Sequence, residues 1–168
     1  MTPSTASGFV HGLAGVAAAQ SSVGFVDGEN GVLEYRGIPI EALAEHSTFE
    51  EATYLLLYGK LPKRAELAAF EASLKSHRAV PPQILAMIAG FPRSGHPMAA
   101  LQTAVGAMGL HYPRTGATDA VERDVAARRI VAQTATLLGA IARHRRGLGP
   151  VAPREDLDHA ANFLWMLN

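Results

Sequence analysis

The chain has 168 residues, 48% of them hydrophobic and 18% charged, and its 15 Lys and Arg are balanced by 15 Asp and Glu. That length allows one domain with a buried core, and the even charge leaves no net field to gather nucleic acid or an anionic membrane. There is no cysteine, so disulfides, thiolate nucleophiles and cysteine-based metal sites are excluded.

Residues 1–20, MTPSTASGFVHGLAGVAAAQ, read as a loose N-terminal arm. They hold small and apolar residues, but no Lys or Arg precedes the apolar part, so the charged region of a signal peptide is missing. No apolar run reaches the length of about 20 residues that spans a bilayer. A cytoplasmic protein with no membrane or nucleic-acid partner is expected. The rest, residues 21–168, reads as one mainly α domain with one small β-hairpin at its start.

The hairpin is expected over Ser21–Gly37, where SVGFV and VLEY flank DGENG. In that separator Gly28 and Gly31 can take positive φ, and Asp27 and Asn30 can bond to their own backbone. Pro39 suits the first turn of a short helix through Ala44. Ser47 and Glu50 have capping-box spacing for the next helix. Its face is Phe49, Ala52, Leu55 and Leu56, and Gly59 ends it. Pro62 is expected to start a third helix, with Leu67, Phe70 and Leu74 on one side and a Glu71–Lys75 pair on the other.

PPQILAMIAG reads as a compact fourth helix and HPMAALQTAVGAMG as a fifth. In the fifth, Ala100, Ala104, Gly106 and Ala107 would let another backbone come close. Asp119 and Glu122 again have cap spacing. They open the longest helix, to about His144, which carries Val121, Val125, Ile130, Leu137, Leu138 and Ile141. RHRRG closes it with cations at the negative end of the dipole. GLGPVAP is a linker, and Pro153 is expected to open a final helix. That helix is still apolar at Leu164, Trp165, Met166 and Leu167, which reads as an interruption of a longer domain.

Chemistry is sparse. Of the seven histidines, His11, His46, His77, His96, His111, His144 and His159, none forms an HxxxH or HExxH pair, so metal ligation on a helix face has no support. His96 sits before Pro97 as a helix cap or turn contact, and His159 follows Asp158 and could join an acid–base pair; both read more readily as structural. No G-x-S-x-G occurs, and neither phosphate-loop glycine pattern opens a helix. The cluster Arg143–Arg146 could bind a phosphate but fits a dipole-matched helix end better. Arg36, at the hairpin exit, could hold a carboxylate or phosphate; an internal ion pair is the favoured reading. Spacing alone gives a mostly helical domain and no function.

Four stretches together say more. GLAGV at Gly12–Val16, VDGENGVLEYRGIPIEALAEHSTFEEATYLLLYGKLP at Val26–Pro62, FPRSGHPMAALQTAVGAMG at Phe91–Gly109 and PREDLDHAANFLWML at Pro153–Leu167 resemble citrate synthase of the short bacterial and archaeal type. They fall in the family's order and spacing, with 2-methylcitrate synthase as the sister reading. The resemblance implies part of the large helical domain, with the Pro97–Gly109 region at a dimer interface. It also implies the condensation of acetyl-CoA with oxaloacetate to citrate and CoA, a step of the tricarboxylic acid cycle. That reaction needs a carboxylate base, two histidines and carboxylate-binding arginines, and no metal or other cofactor.

The family's oxaloacetate-binding histidine segment, its HGGAN and GHRVY motifs and its catalytic aspartate follow the ANFLWML helix, and this sequence holds none of them. No catalytic, substrate-binding or metal residue is therefore carried over, and His96 and His159 match family positions that are not catalytic. The resemblance implies an N-terminal portion, inactive alone, which a complementing C-terminal part would complete. The reading from a different class is a non-catalytic helical module kept for dimerisation.

Overall fold

A computed structural model of the protein describes residues 19–112 and 119–168. Most of the N-terminal arm, with His11, and the GLAGV stretch lie outside the described residues. Three short antiparallel strands come first, β1 (Gly24–Asp27), β2 (Val32–Tyr35) and β3 (Ile38–Pro39), paired in that order. The expected hairpin is β1–β2. Asp27 Oδ1 accepts from the amides of Glu29 and Asn30, and Asn30 Nδ2 donates to Asp27 Oδ2. These bonds close the turn and hold the Asp27 carboxyl below its ordinary pKa. Gly31, not Gly28, takes the left-handed conformation.

The third strand has no sequence signal of its own. It forms because Arg36 and Gly37 both adopt positive φ, 52° and 79°, which turns the chain back in two residues. Arg36 is held there by its side chain: Nη1 donates to Ser22 Oγ at 2.9 Å and Nη2 to the Leu56 carbonyl at 3.0 Å. Its partners are a hydroxyl and a carbonyl rather than the expected carboxylate. Arg36 thus ties the sheet to the second helix, Phe49–Tyr58, passing over Gly59, where a Cβ would lie 3.8 Å from its guanidinium.

Seven helices follow among the described residues: α1 (Ile40–His46), α2 (Phe49–Tyr58), α3 (Arg64–Ser76), α4 (Pro82–Ala89), α5 (Pro97–His111), α6 (Ala120–Arg145) and α7 (His159–Leu167). Several starts differ from the expected ones. The capping box of α2 is Thr48 with Glu51, one residue later than Ser47 with Glu50. At α3 the cap is Lys63, whose amide donates to Glu66, and Pro62 lies outside the helix. No Glu71–Lys75 ion pair forms. Pro153 does not open α7; Asp158 caps it, accepting from Ala161 N at 2.7 Å, and residues 147–157 form an extended loop. Asp119 caps α6 and Gly59 stops α2 in the left-handed conformation, both as expected.

Helix α6 is the axis, about 39 Å long at 1.5 Å per residue. On one flank Leu137, Ala140 and Ile141 pack with Val80, Ile84, Ile88, Ala104 and Met108, joining α4 and α5 to it. Lower down, Ala132 meets Phe70 and Leu74 of α3. Across its other flank lies α7. The crossing is tight at Gly139, where a Cβ would stand 3.0 Å from the Met166 Cβ. This is the close backbone approach that the small residues of α5 had suggested for that helix. On α5 itself Ala104 is fully buried, whereas Gly106 has open space beside it. Among the described residues no helix is long and apolar enough to cross a membrane.

Candidate functional site

The polar groups of this fold converge at one buried junction. Arg78, in the loop between α3 and α4, is 2% exposed. Its Nη1 donates to the carbonyls of Arg154 and of Leu157, the latter at 2.9 Å. Burial pulls the guanidinium pKa down from its ordinary value, opposed by the carboxylates of Glu50, Asp158 and Glu155. The Arg78 carbonyl accepts from Thr136 Oγ1, and the Ala79 carbonyl from Gln133 Nε2, both on α6. Asn162 of α7, fully buried, accepts from the Arg154 amide at 2.7 Å. These bonds fold the 147–157 loop back over the core.

Glu50 completes the junction from α2. Buried at 6% exposure, it accepts the backbone N–H of His159 at 2.8 Å. That use explains why Glu51, not Glu50, serves the helix cap. His159 stacks on Phe49 with centroids 4.3 Å apart and rings 9° from parallel. Burial lowers its pKa, with Glu50 pulling the other way, so the ring stays neutral at pH 7. Its Nδ1 is enclosed and has no partner among the described residues. With Nδ1 enclosed and the ring stacked on Phe49, His159 braces the start of α7.

The other candidate residues lie apart from this junction and from one another. His96 caps α5, its Nδ1 accepting from Met98 N. His144 bonds through Nε2 to the Phe91 carbonyl, and His77 through Nδ1 to the Ser73 carbonyl. His46 lies near Glu45 on the surface, and His111 ends α5, exposed. In the Arg143–Arg146 cluster, Arg143 reaches the Gly149 carbonyl, Arg145 the Gly95 carbonyl and Arg146 the Leu167 carbonyl. These arginines brace the negative end of the α6 dipole. Among the described residues no three His, Asp or Glu side chains are placed to hold a metal ion.

Several clefts line α6. A small one, about 150 Å³, lies between α5 and α6 beside Gln133, where the Arg129 guanidinium sits 3.9 Å from the Tyr112 ring centroid. A wider one, about 490 Å³, is walled by Phe49, Leu138, His159 and Phe163 and is almost wholly apolar. The wider cleft has Thr134 and His159 in its wall, but the Thr134 hydroxyl donates to the Ile130 carbonyl of its own helix.

Sequence reasoning missed Arg78, Asn162 and the inward role of Glu50. Arg78 carried a faint signal: no charged residue follows it until Arg93, so it stands alone at the head of an apolar stretch. Glu50 and Asn162 carried none, since their partners lie 109 and 8 residues away.

The architecture defines a class first: an α-helical scaffold built around one long helix, whose buried polar groups are spent on internal bracing. Residues 12–168 match the family model described as citrate synthase, C-terminal domain. The chain is 47% identical over 159 residues to the citrate synthase of Synechocystis, covering 95% of this chain and 40% of that protein. It is 45% identical to the Deinococcus radiodurans citrate synthase, over 96% of this chain and 43% of the relative. The citrate synthase structure from Thermotoga maritima superposes with a TM-score of 0.78 at 35% identity, over 93% of this chain and 40% of that one. That from Pyrobaculum aerophilum gives 0.77 at 38%, over 90% and 40%. The chain belongs to the citrate synthase family, and it spans about two-fifths of the length of these relatives.

Proposed function

We propose that these residues form the leading helical scaffold of a citrate synthase, an acyltransferase condensing acetyl-CoA with oxaloacetate, and that alone they do not catalyse the reaction. The observation that supports this most is the pairing of a family match across residues 12–168 with a fold whose buried Arg78, Glu50 and Asn162 are used in internal braces. The described residues offer no carboxylate and histidine facing one open cleft, which enolisation of a thioester requires. The segments that carry those groups in the family follow the ANFLWML helix and are not among these 168 residues.

On this reading acetyl-CoA is a substrate of the completed enzyme and no metal or resident cofactor takes part. Self-association through the Pro97–Gly109 region belongs to the same proposal. Met98, Val105 and Leu110, exposed at 60%, 37% and 85%, give α5 an apolar outer face suited to it. The compartment proposed is the cytoplasm. The test is oxaloacetate-dependent release of CoA thiol from acetyl-CoA by the purified 168-residue protein, itself free of thiols. No release above the buffer rate is expected, and turnover by this chain alone sinks the proposal.

A further inference from the structure

The residue that opens α7 is held by contacts that suit an uncharged ring. His159 is 7% exposed and stacks on Phe49 of α2, with ring centroids 4.3 Å apart. Its backbone N–H donates to Glu50 Oε1 at 2.8 Å, also on α2. Its Nδ1 is enclosed, with no hydrogen-bond partner among the described residues. The imidazolium form carries an N–H on both ring nitrogens, so protonation makes the enclosed one a charged donor without an acceptor. His159 also stands at the N-terminus of α7, the positive end of that helix's dipole, where a cation is disfavoured.

The charged groups around the ring do not relieve this. The guanidinium of Arg78, 2% exposed in the α3–α4 loop, repels a proton there. Glu50 on α2 and Asp158 before α7 attract one, but both carboxylates already accept backbone N–H groups, of His159 and of Ala161. The wall on α6, with Thr134, Ala135 and Leu138, carries no charge. The far end of α7 is fixed by other means. Met166, 1% exposed, crosses α6 at Gly139, where a Cβ would stand 3.0 Å from its own. That crossing is apolar and holds no titratable group.

We infer that His159 is an acid-sensitive latch: uncharged, it clamps the start of α7 to α2, and a proton on it releases that end while Met166 keeps the other on α6. Release also loosens residues 154–157, because Asn162 of the same helix accepts the Arg154 amide. The latch does not depend on the scaffold reading.

Hydrogen–deuterium exchange followed by mass spectrometry tests it on the protein as its own cells make it, with rates corrected for the intrinsic pH dependence of amide exchange. Opening that takes up one proton becomes about tenfold more favourable between pH 7.5 and 5.5, the rise starting near the ordinary histidine pKa of about 6.5. Peptides covering residues 154–163 should therefore lose about tenfold in protection, while those of α3 and of residues 137–145 lose less than about twofold. His159→Phe, which keeps a ring on Phe49 and removes the proton site, should leave residues 154–163 protected at both pH values. The ring nitrogens of His159, labelled with nitrogen-15 in the unsubstituted protein, give a readout that needs no variant to fold. They should keep the neutral pattern at pH 6, where an ordinary histidine is mostly protonated. Protection that does not change with pH, that falls equally in α3, or that falls equally in His159→Phe overturns the latch, as does a His159 ring that titrates near pH 6.5.

Discussion

The two flanks of α6 differ in a way that sorts the whole molecule. On the closed flank Ala132, Leu137, Ala140 and Ile141 are at most 6% exposed and pack on α3, α4 and α5. On the open flank Ile130 is 56% exposed and Leu138 only partly covered, with Phe49 and Leu164 still at 45% and 57% beyond them. Both flanks have the composition of a core. The first is covered by α3, α4 and α5, whereas on the second α7 and α2 leave part of the stripe uncovered. Apolar surface in a continuous stripe is uncommon on a free-standing domain, and on the scaffold reading it is a face left for further packing.

The sharpest way to break this comparison is to cut the same methylenes from each side. Leu137→Ala should cost about 2–4 kcal/mol, the usual range for emptying a buried leucine site. Leu138→Ala should cost less, about 1 kcal/mol, because its side chain is already partly exposed. Urea denaturation of the two variants checks this, and equal losses would mean that both flanks are closed.

Glycines probe the same contrast with opposite signs. Gly139→Ala drives a methyl into Met166 at the α6–α7 crossing and should cost about 1–3 kcal/mol. Gly106→Ala on the outer face of α5 meets no atom within 4 Å and should gain up to about 1 kcal/mol by restricting the unfolded chain. Thermal melts of the pair give the sign directly. A loss at Gly106 would show that something already covers α5.

A smaller effect tests the cap of α2, the helix that borders the open flank. Thr48→Ala should cost about 1 kcal/mol and Ser47→Ala close to nothing, since only Thr48 accepts the Glu51 amide. The smallest effect is in pH. His159 has its pKa lowered by burial, so the native state resists a proton that the unfolded chain accepts. Stability is then full above the ordinary histidine pKa near 6.5 and falls as pH drops below it. His159→Phe, which keeps a ring against Phe49, should flatten that fall in melts taken between pH 7.5 and 5. An unchanged slope would assign the acid sensitivity elsewhere.

Much of the helical order was legible because it is local. Asp119 capped α6, Gly59 stopped α2 and Asp27 with Asn30 built the turn, each acting within four residues. The cap of α2 was misplaced by one residue because Ser47–Glu50 and Thr48–Glu51 have identical spacing, and only a contact 109 residues away draws Glu50 inward. The start of α7 was placed too early for a related reason. Pro153 can open a helix, but Asn162 takes the Arg154 amide and Arg78 takes the Arg154 and Leu157 carbonyls, which keeps that stretch out of a helix. The candidate site was not legible, and the resemblance assigned it no residue. Its buried junction depends on chain crossings that periodicity does not record.

The scaffold proposal is tested most directly by exchange. The 168 residues can replace the matched two-fifths of the Synechocystis citrate synthase, leaving that enzyme's remaining segment unchanged. The chimera should fold and release CoA thiol in the presence of oxaloacetate, while the Leu138→Glu chimera should lose most of that activity. A chimera that folds cooperatively, holds the remaining segment and yet turns over nothing would mean that this chain is not an interchangeable citrate synthase scaffold.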